Sequence, residues 1–261
     1  MSETRPKRGS PIIDLSHEGL ATPPVEDLTA ASLFLDLDGT MLELIDQPDQ
    51  VVADAALQAL LARLSDRLAG RLAIVSGRSI AQIDAILGPV AQHLAVSGSH
   101  GSEHRWRGVA AHPVRPATLD EAHDRFRDFA DAHAGVLVEN KSFGVALHYR
   151  MAPAAGAEAE ALAAALAEQH DLHLQPGKMM TELRLPGGDK GKAIQMLMSR
   201  PPMAGTRPWF VGDDATDEPG FVAAHALGGA GVLVGPRRPT AALYALADPA
   251  AVRTWLERLL A

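Results

Sequence analysis

Cysteine is absent from the 261 residues. That excludes a disulfide framework, a thiolate nucleophile and any cysteine-ligated metal centre, and it fits a cytoplasmic location. Positive charge is in deficit: 24 Lys and Arg stand against 32 Asp and Glu, a formal net charge of −8. General nucleic-acid binding needs a positive surface and is disfavoured; an anionic substrate would have to be met by locally placed cations. No apolar run approaches the ~20 residues that span a bilayer, so no membrane partner is expected. Arg5, Lys7 and Arg8 lack the apolar stretch that follows such residues in a secretory signal, because Pro11-Ile12-Ile13 is too short. Residues 1–28, rich in Pro, Ser, Glu and Arg, read as a flexible or loosely docked tail. There is no internal repeat. The rest is ordinary for a globular protein, 47% hydrophobic and 21% charged, and long enough for a sizeable core in one large or two modest domains.

Within this chain, residues 33–40 (Leu-Phe-Leu-Asp-Leu-Asp-Gly-Thr) stand out. An apolar run closed by turn residues reads as a buried parallel strand, and open α/β sheets bind ligands beyond the carboxyl ends of such strands. Asp36 and Asp38 would project into that crevice, where two close carboxylates repel unless a cation or a shared proton intervenes. The plainer alternative is an Asp-Gly turn whose acids are merely solvated.

Strands and helices alternate around this stretch. Strands are predicted at 33–37, 71–75 and 93–97, and helices at 52–68 and 80–87. The first helix has Leu57, Leu60, Leu61, Leu64 and Leu68 at helical spacing, with Asp49 or Asp54 near its start. The middle third differs: a helix at 118–133 with Thr118 and Glu121 spaced as a capping box, strands at 136–139 and 144–150, an Ala-rich helix at 156–170, and strands at 172–175 and 179–185. After Pro186-Gly187-Gly188 the alternation returns, with helices at 190–198, 218–226 and 250–260 and strands at 208–211 and 231–234. The expected fold is α/β: a doubly wound, mainly parallel sheet built from 29–108 and 187–261, with a smaller α+β domain of 109–186 inserted as a cap. Gly108 and Gly187-Gly188 would be its hinges.

Polar clusters fall at or just after the predicted core strands, or at a helix start: Asp36/Asp38/Thr40, Ser76-Gly77-Arg78, Lys190, and Asp213/Asp214/Asp217. Singly, each is a turn, a solvated lysine or a loop. In this order and placement they resemble the haloacid dehalogenase superfamily of phosphohydrolases over roughly residues 32–260, with an insert like that superfamily's C2-type cap. Gly98-Ser99-His100-Gly101-Ser102-Glu103, Val138-Glu139-Asn140-Lys141, His148-Tyr149-Arg150, Pro176-Gly177-Lys178, Thr181-Glu182-Leu183-Arg184 and Val211-Gly212-Asp213-Asp214-Ala215-Thr216-Asp217-Glu218 are similar to the trehalose-6-phosphate phosphatase family.

The resemblance implies a phosphatase acting through an aspartyl-phosphate, in which Asp36 is the nucleophile and Asp38 the acid and then the base. It implies Mg²⁺ held by Asp36, the backbone carbonyl of Asp38 and Asp213, with Asp214 and Asp217 acting through water or through the ligands themselves. Ser76 would donate to the phosphoryl group, Lys190 would supply fixed positive charge, and Arg78 would add to it or be structural. Thr40, Gly101, His100 and Arg150 complete the expected substrate contacts.

Glu139 and Lys141, two apart on a strand, share a face, and so would Lys178 and Glu182 if that stretch is extended throughout. Such a face offers donors and acceptors to sugar hydroxyls. Its charges could equally pair with one another, and the resemblance favours the sugar. Trp106, Trp209 and Trp255 read as packing residues. The expected partner is a small molecule, trehalose 6-phosphate, met by a monomer. Another sugar phosphate, such as sucrose 6-phosphate or mannosylglycerate phosphate, or a non-catalytic sugar-phosphate-binding regulator, remain as alternatives.

Overall fold

The computed structural model describes residues 19–25, 28–44, 51–106, 109–111, 114–186 and 188–261. Two sheets organise them. The larger has eight strands in the order β12-β11-β10-β1-β2-β3-β4-β5. Its strands are β1 (Ala31–Leu35), β2 (Leu72–Val75), β3 (Ala95–Gly98), β4 (Glu103–Trp106), β5 (Val109–Ala111), β10 (Arg207–Gly212), β11 (Ala230–Val234) and β12 (Tyr244–Leu246). The pairings from β12 to β3 are parallel, and those of β3 with β4 and β4 with β5 are antiparallel. From β1 the chain builds outward through β2 and β3, then returns to β10 on the other side. The strand order therefore reverses between β1 and β10, the place where such sheets bind ligands.

Strand alternation sorts the core. Leu33, Leu35, Trp209, Val211, Leu72 and Ile74 face α1 (Ala55–Arg67), α2 (Ile80–Leu87) and α7 (Pro249–Arg258). Phe34, Ala73, Val75, Phe210 and Leu233 face α5 (Lys190–Met198) and α6 (Glu218–Ala226). At roughly 25 cal/mol per Å² of buried apolar surface, these two packed faces are the main source of stability. Continuing that alternation, Asp36 follows Phe34 onto the α5 side. Asp54 caps α1 by accepting from the Leu57 N–H at 2.7 Å; Asp49, the other candidate, lies outside the described residues. The tryptophans pack as expected: Trp209 stacks on Tyr244 at 5.3 Å and tilts against Trp255 at 6.4 Å.

The smaller sheet, in the order β6-β7-β9-β8, is antiparallel throughout. It contains β6 (Leu137–Lys141), β7 (Gly144–His148), β8 (His173–Gly177) and β9 (Met180–Arg184). Val145, Leu147 and Leu183 bury one face under α3 (Ala117–Ala132) and α4 (Gly156–His170), leaving the other face polar.

Several expectations are corrected. β4, β5 and β12 were not anticipated, and β5 carries the large sheet to Ala111, past the expected boundary at 108. These strands are three or four residues long, too short to show a period. Of the two readings of the tail, flexible or loosely docked, residues 19–25 fit the docked one: Ala21 pairs with Tyr244, its carbonyl accepting from the Ala245 N–H at 3.0 Å, and Val25 is buried. The rest of the expected tail, and the hinge positions Gly108 and Gly187, lie outside the described residues. The capping box does not form: α3 starts one residue early, with Pro116 at the N-cap, so Thr118 falls inside the first turn. Among the described residues no helix is long and apolar enough to cross a membrane.

Candidate active site

The Asp36 N–H donates to the Val211 carbonyl at 2.9 Å, extending the β1–β10 pairing one residue beyond β1. This seats the Asp36 side chain at the strand-order reversal, facing the loop after β10. Asp36, Asp213 and Asp217 each offer a carboxylate oxygen within 4.8 Å of the others. Gly39 closes the turn beneath them with φ +73°, and a Cβ there would lie 2.1 Å from Asp213 Oδ2, so only glycine lets the two loops meet.

Lys190, at the first turn of α5 and only 4% exposed, donates to Asp36 Oδ1 at 2.8 Å and Asp217 Oδ1 at 2.6 Å. Asp217 Oδ2 accepts from the Asp213 and Asp214 N–H groups at 2.8 and 3.0 Å, so both its oxygens are committed. Asp36 Oδ2 and Asp213 Oδ1 lie 3.4 and 3.5 Å from the Thr40 hydroxyl, whose single hydrogen cannot satisfy both. Burial alone would lower the Lys190 pKa, but Asp36 and Asp217 together outweigh it and raise it, keeping the ammonium charged. One ammonium does not balance three carboxylates. Burial pushes Asp36 well above the usual carboxylate range, opposed by Lys190 and reinforced by Asp217 and Asp213. Burial, then the Asp217 and Asp214 charges, push Asp213 up to about 7. An all-oxygen, under-donated pair carrying excess negative charge suits a hard divalent cation. Asp214 is exposed and caps the following turn by accepting from the Thr216 N–H at 2.7 Å.

A cavity of about 270 Å³ lies between the two sheets; Asp38 lines it, whereas Asp36, Asp213, Asp217 and Lys190 do not. Asp38, Gly77, Arg78 and His100 line it from the large-sheet side, and Glu139, Lys141, His148 and Met180 from the small one. Arg78 grips Asp38 as a fork, Nε to Oδ2 at 2.6 Å and Nη2 to Oδ1 at 2.7 Å. Ser76 is buried; its oxygen accepts from the Arg78 N–H at 3.2 Å, leaving its own hydrogen to donate elsewhere. His100 lies over Gly77, where a Cβ would meet the imidazole at 2.6 Å. Its pKa falls to about 3, through burial first and then the Lys190, Arg184 and Lys141 charges, so the ring is neutral and offers one donor and one acceptor.

On the polar face of the small sheet, Lys141 donates to Glu182 at 2.6 Å and lies 4.0 Å from Glu139, which His148 Nε2 meets at 3.0 Å. The small residue Ala146 stands between Glu139 and Glu182 in register, leaving a trough between charged rows. Glu182 reaches an adjoining recess with His100, Lys141, Gly144 and Arg184.

Not every expected residue is brought to the cavity. The stretch from Lys178 to Glu182 is not continuously extended: Lys178 sits exposed in the β8–β9 turn, where Met179 has φ +59°, so the shared-face argument for that pair fails. Arg150 is exposed beyond β7, Thr40 is wholly buried beside the acids, and Gly101 does not line the cavity. Met180 and Arg184 were missed as site residues, although they share the parity of Glu182 and period-two counting would have found them. Leu44, Val51 and Gln82 also line the cavity and carry no sequence signal.

The family model for trehalose-phosphatase matches residues 34–250. The trehalose-6-phosphate phosphatase of Escherichia coli is 38% identical over 232 residues, covering 87% of this chain and 85% of that protein. A protein of Sinorhizobium fredii described as "Probable trehalose-phosphate phosphatase" is 37% identical over 216 residues, covering 82% and 81%. Among solved structures, one described as a trehalose-6-phosphate phosphatase related protein superposes with a TM-score of 0.76 at 26% identity, covering 87% of this chain and 96% of that one. The parallel core with its inserted antiparallel unit is a haloacid dehalogenase-like fold. The chain belongs to the trehalose-phosphatase family.

Proposed function

We propose that this protein hydrolyses trehalose 6-phosphate to trehalose and inorganic phosphate, with Mg²⁺ bound by Asp36, Asp213 and the Asp38 carbonyl. The observation that carries the reading is the under-donated pair of buried Asp36 and half-buried Asp213, set two residues behind and across from Asp38, which lines a cavity whose far wall bears sugar-compatible polar groups. When bound, the cation supplies charge neutralisation at the transferring phosphoryl oxygens. Lys190 holds Asp36 Oδ1 and so fixes the direction of the carboxylate that attacks phosphorus. Asp36 forms the new bond to phosphorus, the bond from phosphorus to the sugar oxygen breaks, and that oxygen takes a proton from Asp38. Asp38 then takes a proton from water, whose oxygen displaces the Asp36 carboxylate. Protonation of Asp38 removes the charge that strengthens the Arg78 fork and turns one of its acceptor sites into a donor, which frees Arg78 to turn toward the arriving phosphate. Ser76 donates to a phosphoryl oxygen. Thr40 braces the acidic pair rather than touching substrate. Asp217 fixes the Asp213 loop and Lys190.

The inserted unit serves as the cap. Glu139, Lys141, Glu182 and neutral His100 exchange their mutual contacts for sugar hydroxyls, and closure keeps bulk water from the phosphoryl group. Lys178 and Arg150, both exposed, reach the substrate only after a closing movement brings them nearer.

Phosphate release from a panel of sugar phosphates, with and without Mg²⁺, tests this reading. The disaccharide phosphate should be preferred, chelation should abolish release, and Asp36→Asn should lower turnover on the order of 10⁴-fold or more. Undiminished release by Asp36→Asn, or a preference for another sugar phosphate, would overturn it.

A further inference from the structure

The loop that carries Asp213 is held from both sides. On one side, Asp217 Oδ2 takes the N–H groups of Asp213 and Asp214. On the other stands Arg238, from the segment between β11 and β12, a quarter exposed and without a part in the chemistry above. Its Nη2 donates to the Asp214 carbonyl and its Nε approaches the Asp213 carbonyl at 3.5 Å. Its Nη1 pairs with Glu218 Oε1, while Glu218 Oε2 accepts from the Ala241 N–H at 2.8 Å. The peptide groups flanking the Asp213 Cα are thus gripped at an N–H by a carboxylate and at a carbonyl by a guanidinium. Fixing both peptide planes fixes the direction in which the Asp213 side chain leaves the backbone.

We infer that Arg238 is a positioning residue for the cation site: by clasping the carbonyl side of the 213–214 loop it holds the Asp213 carboxylate against Asp36. The clasp needs a planar fork that reaches several acceptors at once. An ammonium is a point donor and cannot span them.

The inference rests on Asp213 being a cation ligand. Mn²⁺ alone, titrated into the full chain and followed by the spin-resonance signal of the free ion, tests both. Wild type should bind one equivalent. Arg238→Ala should bind about 10- to 100-fold more weakly, the scale for partners that orient metal ligands. Arg238→Lys should recover only part of that loss, and Glu218→Gln should lose least, since it leaves both carbonyl contacts in place. Melting temperatures in chelator should match wild type, which separates positioning from general destabilisation. Absence of Mn²⁺ binding by wild type overturns the cation reading, and this inference with it. Wild-type affinity in Arg238→Ala, or full rescue by lysine, overturns the inference alone. Should Arg238→Ala not fold, Arg238→Lys and Glu218→Gln carry the comparison, and wild-type affinity in both overturns it.

Discussion

Both walls of the cavity region present a lysine shared between two carboxylates. In the core, Lys190 bridges Asp36 and Asp217 at 2.8 and 2.6 Å; on the small sheet, Lys141 meets Glu182 at 2.6 Å and Glu139 at 4.0 Å. The inventories differ. The core group has three carboxylates for one ammonium, with Asp36, Asp217 and Lys190 buried and Asp213 half-buried, and its negative charge is in excess. The small-sheet group sets Glu139 and Glu182 against Lys141, Arg184 and His148, close to balance; Glu139, Lys141 and His148 line the cavity, and buried Glu182 lines the adjoining recess with Arg184. A buried deficit of positive charge calls for a cation and then a phosphate. A balanced set that lines a cavity can exchange its own contacts for neutral hydroxyls at less net cost than an unbalanced one. The first wall suits chemistry and the second suits recognition.

The comparison can be broken most forcefully at Lys190. Lys190→Met should cost about 3–5 kcal/mol, because it leaves buried carboxylates uncompensated. Divalent cation should restore part of that loss in urea melts. An unchanged melt would mean that the core charges are already satisfied.

Glu182→Ala should lower kcat/KM on trehalose 6-phosphate by about 10- to 100-fold, as loss of a charged hydrogen-bond partner does, with much less effect on a small aryl phosphate. Equal losses on both would move Glu182 to the structural side. Arg78→Ala sharpens the boundary. It lines the same cavity but grips Asp38, so both substrates should slow alike, by about tenfold.

The smallest effect is expected at His148. His148→Ala should cost less than about 1 kcal/mol, since its pair with Glu139 is about a third exposed. The His148 hydrogen bond, aided by Lys141 and opposed by burial, holds the Glu139 carboxyl below its usual range. A lowered folded-state pKa means that the pair's contribution is present above the ordinary carboxylate pKa and is lost as pH falls through the lowered value. Removing His148 should shift that acid-side loss upward, as read by the pH dependence of KM.

Much of this was legible residue by residue. The apolar run ending in Asp36-Leu37-Asp38 specified a buried strand, and the helices at 80–87, 156–170, 190–198 and 218–226 emerge with those bounds, because apolar spacing and caps are local properties. The short edge strands escaped notice because three residues carry no period. The Lys178–Glu182 pairing failed because one turn residue with positive φ breaks strand parity.

The sequence by itself determined the alternating core, the inserted antiparallel unit and the presence of Asp36, Asp38, Ser76, Lys190 and Asp213 at strand ends or a helix start. It could not determine who pairs with whom. That wholly buried Asp217 meets Lys190, that Arg78 grips both oxygens of Asp38, and that Arg238 clasps the Asp213 loop from outside are contacts across 25 to 40 residues. Such contacts depend on the parallel order of β1 and β10 and on the seating of α5 beside them. Periodicity reports which face a residue takes; only packing in three dimensions decides what stands opposite.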